Sequence, residues 1–211
     1  LAAAIKSLKK TLSHATRQPA THVLTIRNHS SSHFWLLKCC ATANFESVTL
    51  LLSTLSTPIR SLNLIADDHI LVAANLSNVK ALKESLSQED SERDIKSISR
   101  IPIISDLIND YFDGDIAALN AINVRQPGAS FSQAAWKAMK KVKAGKVISY
   151  GELAERAGSP AAVRAAGSAC AKNAIVLIVP CHRIVKTGGA LGNYAYGLDK
   201  KEWLLRHEGA L

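Results

Sequence analysis

The stretch SYGELAERAGSPAAVRAAGSACAK, residues 149–172, decides the fold of the half of the chain around it. Ser149 and Glu152 have capping-box spacing just ahead of Leu153, so each side chain can satisfy a backbone N–H of a first helical turn. Gly158 supplies the stop. Ser159 and Pro160 read as an N-cap and a first helical residue whose missing N–H costs nothing, which predicts a second helix over 161–172. Two short helices joined by Gly-Ser-Pro make a helix-turn-helix candidate. The second helix is peculiar, because apart from Arg164 and Lys172 every residue in it is small or Val163. Such a helix buries little side chain but can approach another surface closely. That surface is either a neighbouring helix or a nucleic-acid groove into which Arg164 projects.

Upstream, Gln126-Pro127-Gly128 opens this half, and Ser130 with Gln133 repeats the capping-box spacing. Phe131, Ala135, Met139 and Val142 then fall on one helical face, with Lys137, Lys140, Lys141 and Lys143 mostly off it and Gly145 as the stop. KVIS (146–149) reads as a short strand. Downstream, AIVLIVP (174–180) reads as a buried strand that ends on Cys181, His182 and Arg183. KTGGALGNYAYG (186–197) lacks the lysine of a P-loop and the spacing of a dinucleotide fingerprint, so a wing or pocket loop fits it better. A closing helix is expected over 199–207, stopped by Gly209.

The first half reads differently. VTLLLSTL, SLNLIA and HILVAA are short β-rich runs split by turn residues at 56–58 and 67–68. Helices are expected over 79–86 and 103–112, the latter stopped by Asp113-Gly114. This region, 46–124, holds no cluster of catalytic residue types and is expected to be a small structural α+β domain. Residues 1–45 contain no acid. That basic, Ser/Thr-rich extension imitates an organellar transit peptide and equally a cloning remnant or a mis-assigned start, and it carries no assigned function.

The chain has 211 residues, 47% of them hydrophobic, enough for a packed core, and no apolar run of 18 residues that would span a membrane. Its net charge of +9 is unevenly divided. Residues 125–211 hold 14 Lys/Arg against 5 Asp/Glu, whereas 1–124 hold 12 of each. The whole excess therefore sits in the half with the helix pair, as a solvated basic face or as a footprint for a polyanion such as DNA. The four cysteines (39, 40, 170, 181) show no CxxC pair or His-rich ligand spacing. Reduced thiols are expected, with no disulfide framework and no metal.

A thiol has a reference pKa near 8.5, and lowering it by about two units needs roughly 2.7 kcal/mol of differential stabilisation. Cations or a hydrogen-bonded base supply that. His182 is adjacent, yet neighbouring side chains on an extended segment diverge. It can act on Cys181 only if the chain turns there or a water bridges them, and Glu208 could orient the imidazole.

KVISYGELAERAG, AAVRAAGSACAKN, VPCHRIV and GNYAYGLDKKEWLLRHEG, in this order and spacing, resemble the O6-alkylguanine-DNA alkyltransferases, densely over 125–211 and more loosely back to about 46. The resemblance implies an α+β fold, with a small N-terminal α/β domain and a mostly helical C-terminal domain bearing a winged-helix-like helix-turn-helix. It also implies repair by direct reversal: a monomer binds the minor groove of duplex DNA, flips out an alkylated guanine, and moves the alkyl group irreversibly to its own cysteine. No cofactor, membrane or obligate protein partner is implied, and the site of action is the cytoplasm, or the nucleus in a eukaryote. By position, Cys181 is the acceptor, His182 the base working through a water, Glu208 its polarising partner, and Asn173 the residue that holds the active-site turn. Tyr150, Arg164, Tyr194, Ala195 and Val185 are implied to contact the substrate, with Arg164 entering the base stack and Tyr150 pressing on a phosphate. Ala161, Ala165, Gly167, Ser168, Lys172 and Arg183 join Arg164 as DNA-facing residues. Ala174 replaces a usual proline, which implies a less rigid loop. Tyr196 replaces a common glycine, which implies a narrower pocket. A lesion-binding protein that transfers nothing, a helix-turn-helix regulator and a Cys-His hydrolase are the competing readings. The first is implied to lack the acceptor cysteine.

Overall fold

Strands β1 (Leu50–Thr57), β2 (Arg60–Asp67) and β3 (Ile70–Asn75) follow one another as two antiparallel hairpins, with Leu55 facing Leu62 and Leu64 facing Ala74. The computed structural model describes residues 49–211. The basic extension, Cys39 and Cys40 lie outside the described residues. Two short parallel strands complete the sheet, β4 (Ile95–Ser97) on β1 and β5 (Asn123–Val124) on β3, giving the order β4-β1-β2-β3-β5.

Successive strand residues point to opposite faces, and both faces are covered. Leu50, Leu52, Ile65 and Val72 pack on Leu82 of helix α1 (Val79–Glu84), while Leu62, Leu64, Leu71 and Ala74 enter the main core. This explains why the strands read as continuous apolar runs rather than as alternation. Helix α2 (Gln88–Ser91), capped by Ser87, and β4 escape sequence reading because four and three residues are too short to show a period. Asp67 and Asp90 are clamped by Arg93 and Arg125 at 2.8–3.2 Å, which ties β2, α2 and the chain after β5 together.

Helix α3 (Ile104–Phe112) buries Ile104, Ile108 and Tyr111 and stops at Asp113 and Gly114, as expected. Helices α4 (Ser130–Lys140), α5 (Tyr150–Arg156), α6 (Val163–Ala171) and α7 (Leu198–His207) follow, and α4, α5 and α6 pack on one another. The indole N–H of Trp136 on α4 donates to Ala169 O on α6 at 2.9 Å. Helices and strands occur on both sides of the boundary expected after Val124, and the core runs across it. Leu64 and Leu71 share one hydrophobic cluster with Met139, Leu153 and Leu204, and the described residues belong to one compact unit.

The capping box at Ser149 and Glu152 is present in full, at 3.1 and 2.7 Å. Two other helix starts differ from expectation. Ala129, not Ser130, occupies the N-cap of α4, and the Gln133 side chain turns back to Gln126 O. Helix α6 begins at Val163, because residues 159–162 form a turn in which Ala162 N–H donates to Ser159 O at 2.9 Å. KVIS contributes only β6 (Ile148–Ser149), which pairs in parallel with β7 (Ile184–Val185).

Candidate active site

The run AIVLIVP is not a strand. It coils, with Ile178 N–H bonded to Val176 O, Val179 N–H to Ile175 O and Cys181 N–H to Val179 O at 2.8–3.0 Å, and Leu177 takes a left-handed φ of 77°. An apolar run buried throughout has no period, so composition cannot separate a strand from a coil of tight turns. Asn173, just past the end of α6, decides between them. Its amide donates to Val179 O at 2.8 Å and to Cys181 Sγ at 3.4 Å, while its carbonyl accepts from Ile175 N–H at 3.1 Å. Ala174 O accepts from Ala74 N–H at 2.8 Å, and Val176 N–H donates to Ala74 O at 3.1 Å, pinning the loop to β3 without a proline.

Cys181, His182 and Arg183 form a single 3-10 turn. This turn sends His182 inward, where it is wholly buried with Nε2 3.1 Å from Glu208 Oε1. Glu208 caps the C-terminus of α7. Its carboxylate also accepts from Arg183 Nε and Nη2, both at 2.8 Å, and from the Tyr111 hydroxyl at 2.9 Å. With Glu208 on Nε2, the Nδ1 lone pair of His182 is free, and no protein group bonds to it. Gly145 lets the backbone pass this point: at φ 75°, a Cβ there would sit 3.1 Å from Glu208 O. Buried Lys201 of α7 donates to Ile184 O at 2.6 Å and to Leu191 O, joining the cysteine segment to the Gly-rich loop.

In front of Cys181 opens a cavity of about 670 Å³. Helix α6 contributes Arg164, Gly167, Ser168 and Cys170, the start of α5 contributes Tyr150, and the Gly-rich loop contributes Asn193, Tyr194, Ala195 and Tyr196. Gly192 (φ 70°) allows that loop to lie against Tyr150, whose ring a Cβ would meet at 3.3 Å. Tyr196 packs edge-on to Tyr194 with centroids 5.6 Å apart, so the expected narrowing side chain does line the cavity. The Tyr194 hydroxyl is buried without a partner.

Burial pushes the Cys181 thiol up, against the opposing pull of the Asn173 amide and Lys201. The sulfur therefore rests as a thiol rather than as a standing thiolate. Burial also lowers His182, overriding Glu208, so the imidazole rests neutral. Burial would raise Glu208, but the hydrogen bonds and charges of His182 and Arg183 outweigh it and hold the carboxyl at about 2. Cys170 is pushed up to about 12 by burial and by the neighbouring Cys181. The constellation is thus a neutral acid–base pair backed by a permanently ionised carboxylate.

Of the residues singled out from sequence, Cys181, Asn173, Tyr150, Arg164, Gly167, Ser168, Tyr194 and Ala195 line the cavity, and His182 and Glu208 stand behind the sulfur. Ala161, Ala165 and Lys172 are exposed at or near α6 but do not line it. Two assignments are corrected. Arg183 does not face outward: it is buried, and a guanidinium next to a buried carboxylate is held by that pair. Val185 does not reach the cavity either, because it is buried in β7 opposite Ser149. Tyr111, Lys201, Cys170, Lys186 and Asn193 were not anticipated. Tyr111 sits 97 residues from Glu208, and no local pattern announces that contact.

A cysteine on a tight turn, a base and carboxylate behind it, and a cavity bordered by a helix pair make this a candidate nucleophilic-cysteine site. The family described as "6-O-methylguanine DNA methyltransferase, DNA binding domain" matches residues 130–210. A methylated-DNA–protein-cysteine methyltransferase of Salmonella typhimurium is 43% identical over 108 residues, covering 51% of this chain and 63% of the relative. The human protein of that name is 54% identical over 77 residues, covering 36% of this chain and 37% of its own. The chain thus spans less than two thirds of the length of the curated relatives it matches. Among solved structures, Mycobacterium tuberculosis OGT in complex with DNA superposes with a TM-score of 0.63 at 28% identity, over 76% of this chain and 93% of that one. Residues 130–210 of the chain are thus similar to the methylated-DNA–protein-cysteine methyltransferases.

Proposed function

We propose that the protein repairs duplex DNA by moving the alkyl group of O6-alkylguanine to Cys181, once per molecule and without a cofactor. The observation that carries this reading is Cys181 Sγ at the floor of a cavity of about 670 Å³, with the neutral His182 and ionised Glu208 behind it. The relatives' names point to the same chemistry. In the transfer, a carbon–sulfur bond forms as the carbon–O6 bond breaks. The thiol proton passes towards the free Nδ1 of His182 through a bridging water, and by the end of the reaction guanine has gained the proton the sulfur lost. Glu208 stabilises the imidazolium that forms. Tyr194, with its unpartnered hydroxyl, donates to the departing purine.

A base in a duplex has to be extruded to reach the sulfur, which costs a few kcal/mol. Arg164 at the cavity mouth offers a planar cation to fill the gap in the stack. Helices α5 and α6 act as the helix-turn-helix, and the small residues of α6 allow it into the minor groove. The turn after β7, in which Lys186 N–H donates to Ala190 O at 2.8 Å, serves as the wing. Tyr150 presses on a phosphate of the target strand. A Cys-His hydrolase is disfavoured by the site itself, since the Cys181 N–H that such an enzyme would use as an oxyanion donor is already bonded to Val179 O at 2.8 Å.

Mixing the protein with DNA methyl-labelled at guanine O6 tests the proposal. One equivalent of label should appear on the Cys181 peptide and none on Cys181→Ala, which should still bind the duplex. Label retained by Cys181→Ala, or repeated turnover, would overturn it.

A further inference from the structure

Helix α3 lies in the region expected to be purely structural, yet its Tyr111 hydroxyl ends 2.9 Å from Glu208 Oε1. That same oxygen faces His182 Nε2 at 3.1 Å and Arg183 Nη2 at 2.8 Å, and Oε2 takes Arg183 Nε at 2.8 Å. Each oxygen of an ionised carboxylate has about two acceptor sites, so three donors crowd Oε1 while Oε2 takes only one. Tyr111 is fully buried and cannot swing away. Its own carbonyl lies 2.8 Å from His207 Nε2, and its ring meets those of His207 and Phe112 edge-on at 5.0 and 5.1 Å.

We propose that Tyr111 is a positioning residue for alkyl transfer: its hydroxyl competes with His182 for Glu208 Oε1 and so sets how strongly the imidazole can draw the proton from Cys181. This rests on reading Cys181 as the nucleophile and His182 as its base. Several titratable groups face this pair. Arg183 shares their turn, Lys201 comes from α7, Cys170 from α6, Tyr150 from the start of α5, Tyr194 and Tyr196 from the cavity loop, and Tyr111 from α3. Of these, Tyr111 alone is a neutral donor bonded to the catalytic carboxylate, so it can tune that group without changing the net charge. Its phenol stays protonated, since burial and then Glu208 push its ionisation well above the usual range.

The competition has a definite sign. Removing the hydroxyl leaves Oε1 a stronger acceptor for Nε2–H, so the imidazole binds a proton more tightly. The coupled Cys181–His182 pair then stays protonated to higher pH. A more acidic phenol at the same position has the opposite effect.

The test measures the rate at which iodoacetamide alkylates Cys181 against pH, read from the mass of the peptide that contains it, which requires no DNA. Tyr111→Phe should move the midpoint of the acid limb up by about half a pH unit, roughly a threefold change in the pair's proton-binding constant. Replacing Tyr111 by 3-fluorotyrosine, which keeps shape and contacts, should move the limb down. That second arm holds even if the phenylalanine variant folds poorly. Glu208→Gln separates two failures. If its profile matches the unsubstituted protein, the relay itself is wrong and this proposal falls with it. If it differs while both Tyr111 profiles overlay the unsubstituted one, Tyr111 is merely structural and only this proposal is overturned.

Discussion

Asn173 shows how much one side chain decides here. Three hydrogen bonds from one amide, to Val179 O, to Cys181 Sγ and from Ile175 N–H, convert an apolar run into the turn that presents the sulfur. Truncation to alanine leaves the buried Ile175 N–H without a partner, at a cost of about 1–3 kcal/mol, and strips Val179 O of one of its two donors. Asn173→Ala should therefore lose about 2–3 kcal/mol of stability by chemical denaturation and more than about tenfold in single-turnover transfer. Asn173→Asp should keep the Ile175 contact but set a negative charge beside the thiol. It should recover part of the stability and little of the activity. An alanine variant that melts with the unsubstituted protein would mean that the turn is held by the Ala74 contacts instead.

At the scale of elements, α6 is the piece whose composition and position agree. Its outer face carries Arg164, Gly167 and Ser168 along the cavity, while Ala166 and Ala169 are buried against the helices behind. Arg164→Ala should slow transfer from duplex DNA far more than transfer from the free O6-methylguanine base, because only the duplex requires extrusion. Equal losses in the two assays would remove Arg164 from that role. The capping box of α5, the apolar face of α4, the glycine stops at Gly114, Gly158 and Gly209 and the three long strands were legible in the sequence, because each is written in local spacing, whereas α4 ends at Lys140, before the stop expected at Gly145. The turn around Leu177 was not legible, since its hydrogen bonds depend on Asn173 and on Ala74, about 100 residues earlier. For the same reason the pairing of His182 with Glu208 stood in the sequence only as a conditional reading to which the resemblance gave roles, and Tyr111 was not legible at all. Arg183 was misplaced because a cation beside a DNA-facing motif reads as surface until its buried carboxylate is seen.

Over the whole molecule, the candidate site is also a point where acid acts on stability. Glu208 lies at about 2 in the fold against an ordinary 4.5. Its stabilisation is complete above the unfolded value and is lost as pH falls from about 4.5 towards 2, on the order of 3 kcal/mol in all. His182 is lowered from 6.5 by burial, so the unfolded chain binds that proton more readily, and stability begins to fall once pH drops below about 6.5. Asp67 and Asp90, lowered by their arginine clamps, add to the loss at the acid end. All these groups act with the same sign. Denaturant midpoints should thus be flat from pH 7 to 8, decline gently below about 6.5 and fall steeply below about 4.5. Glu208→Gln should start less stable, because it leaves Arg183 buried without a counter-charge at a cost of about 3–5 kcal/mol, and its curve should lose much of the steep acid segment. If that variant kept the full acid slope, the carboxylates of the Asp67 and Asp90 clamp, rather than the active-site relay, would be the acid-sensitive element of the fold.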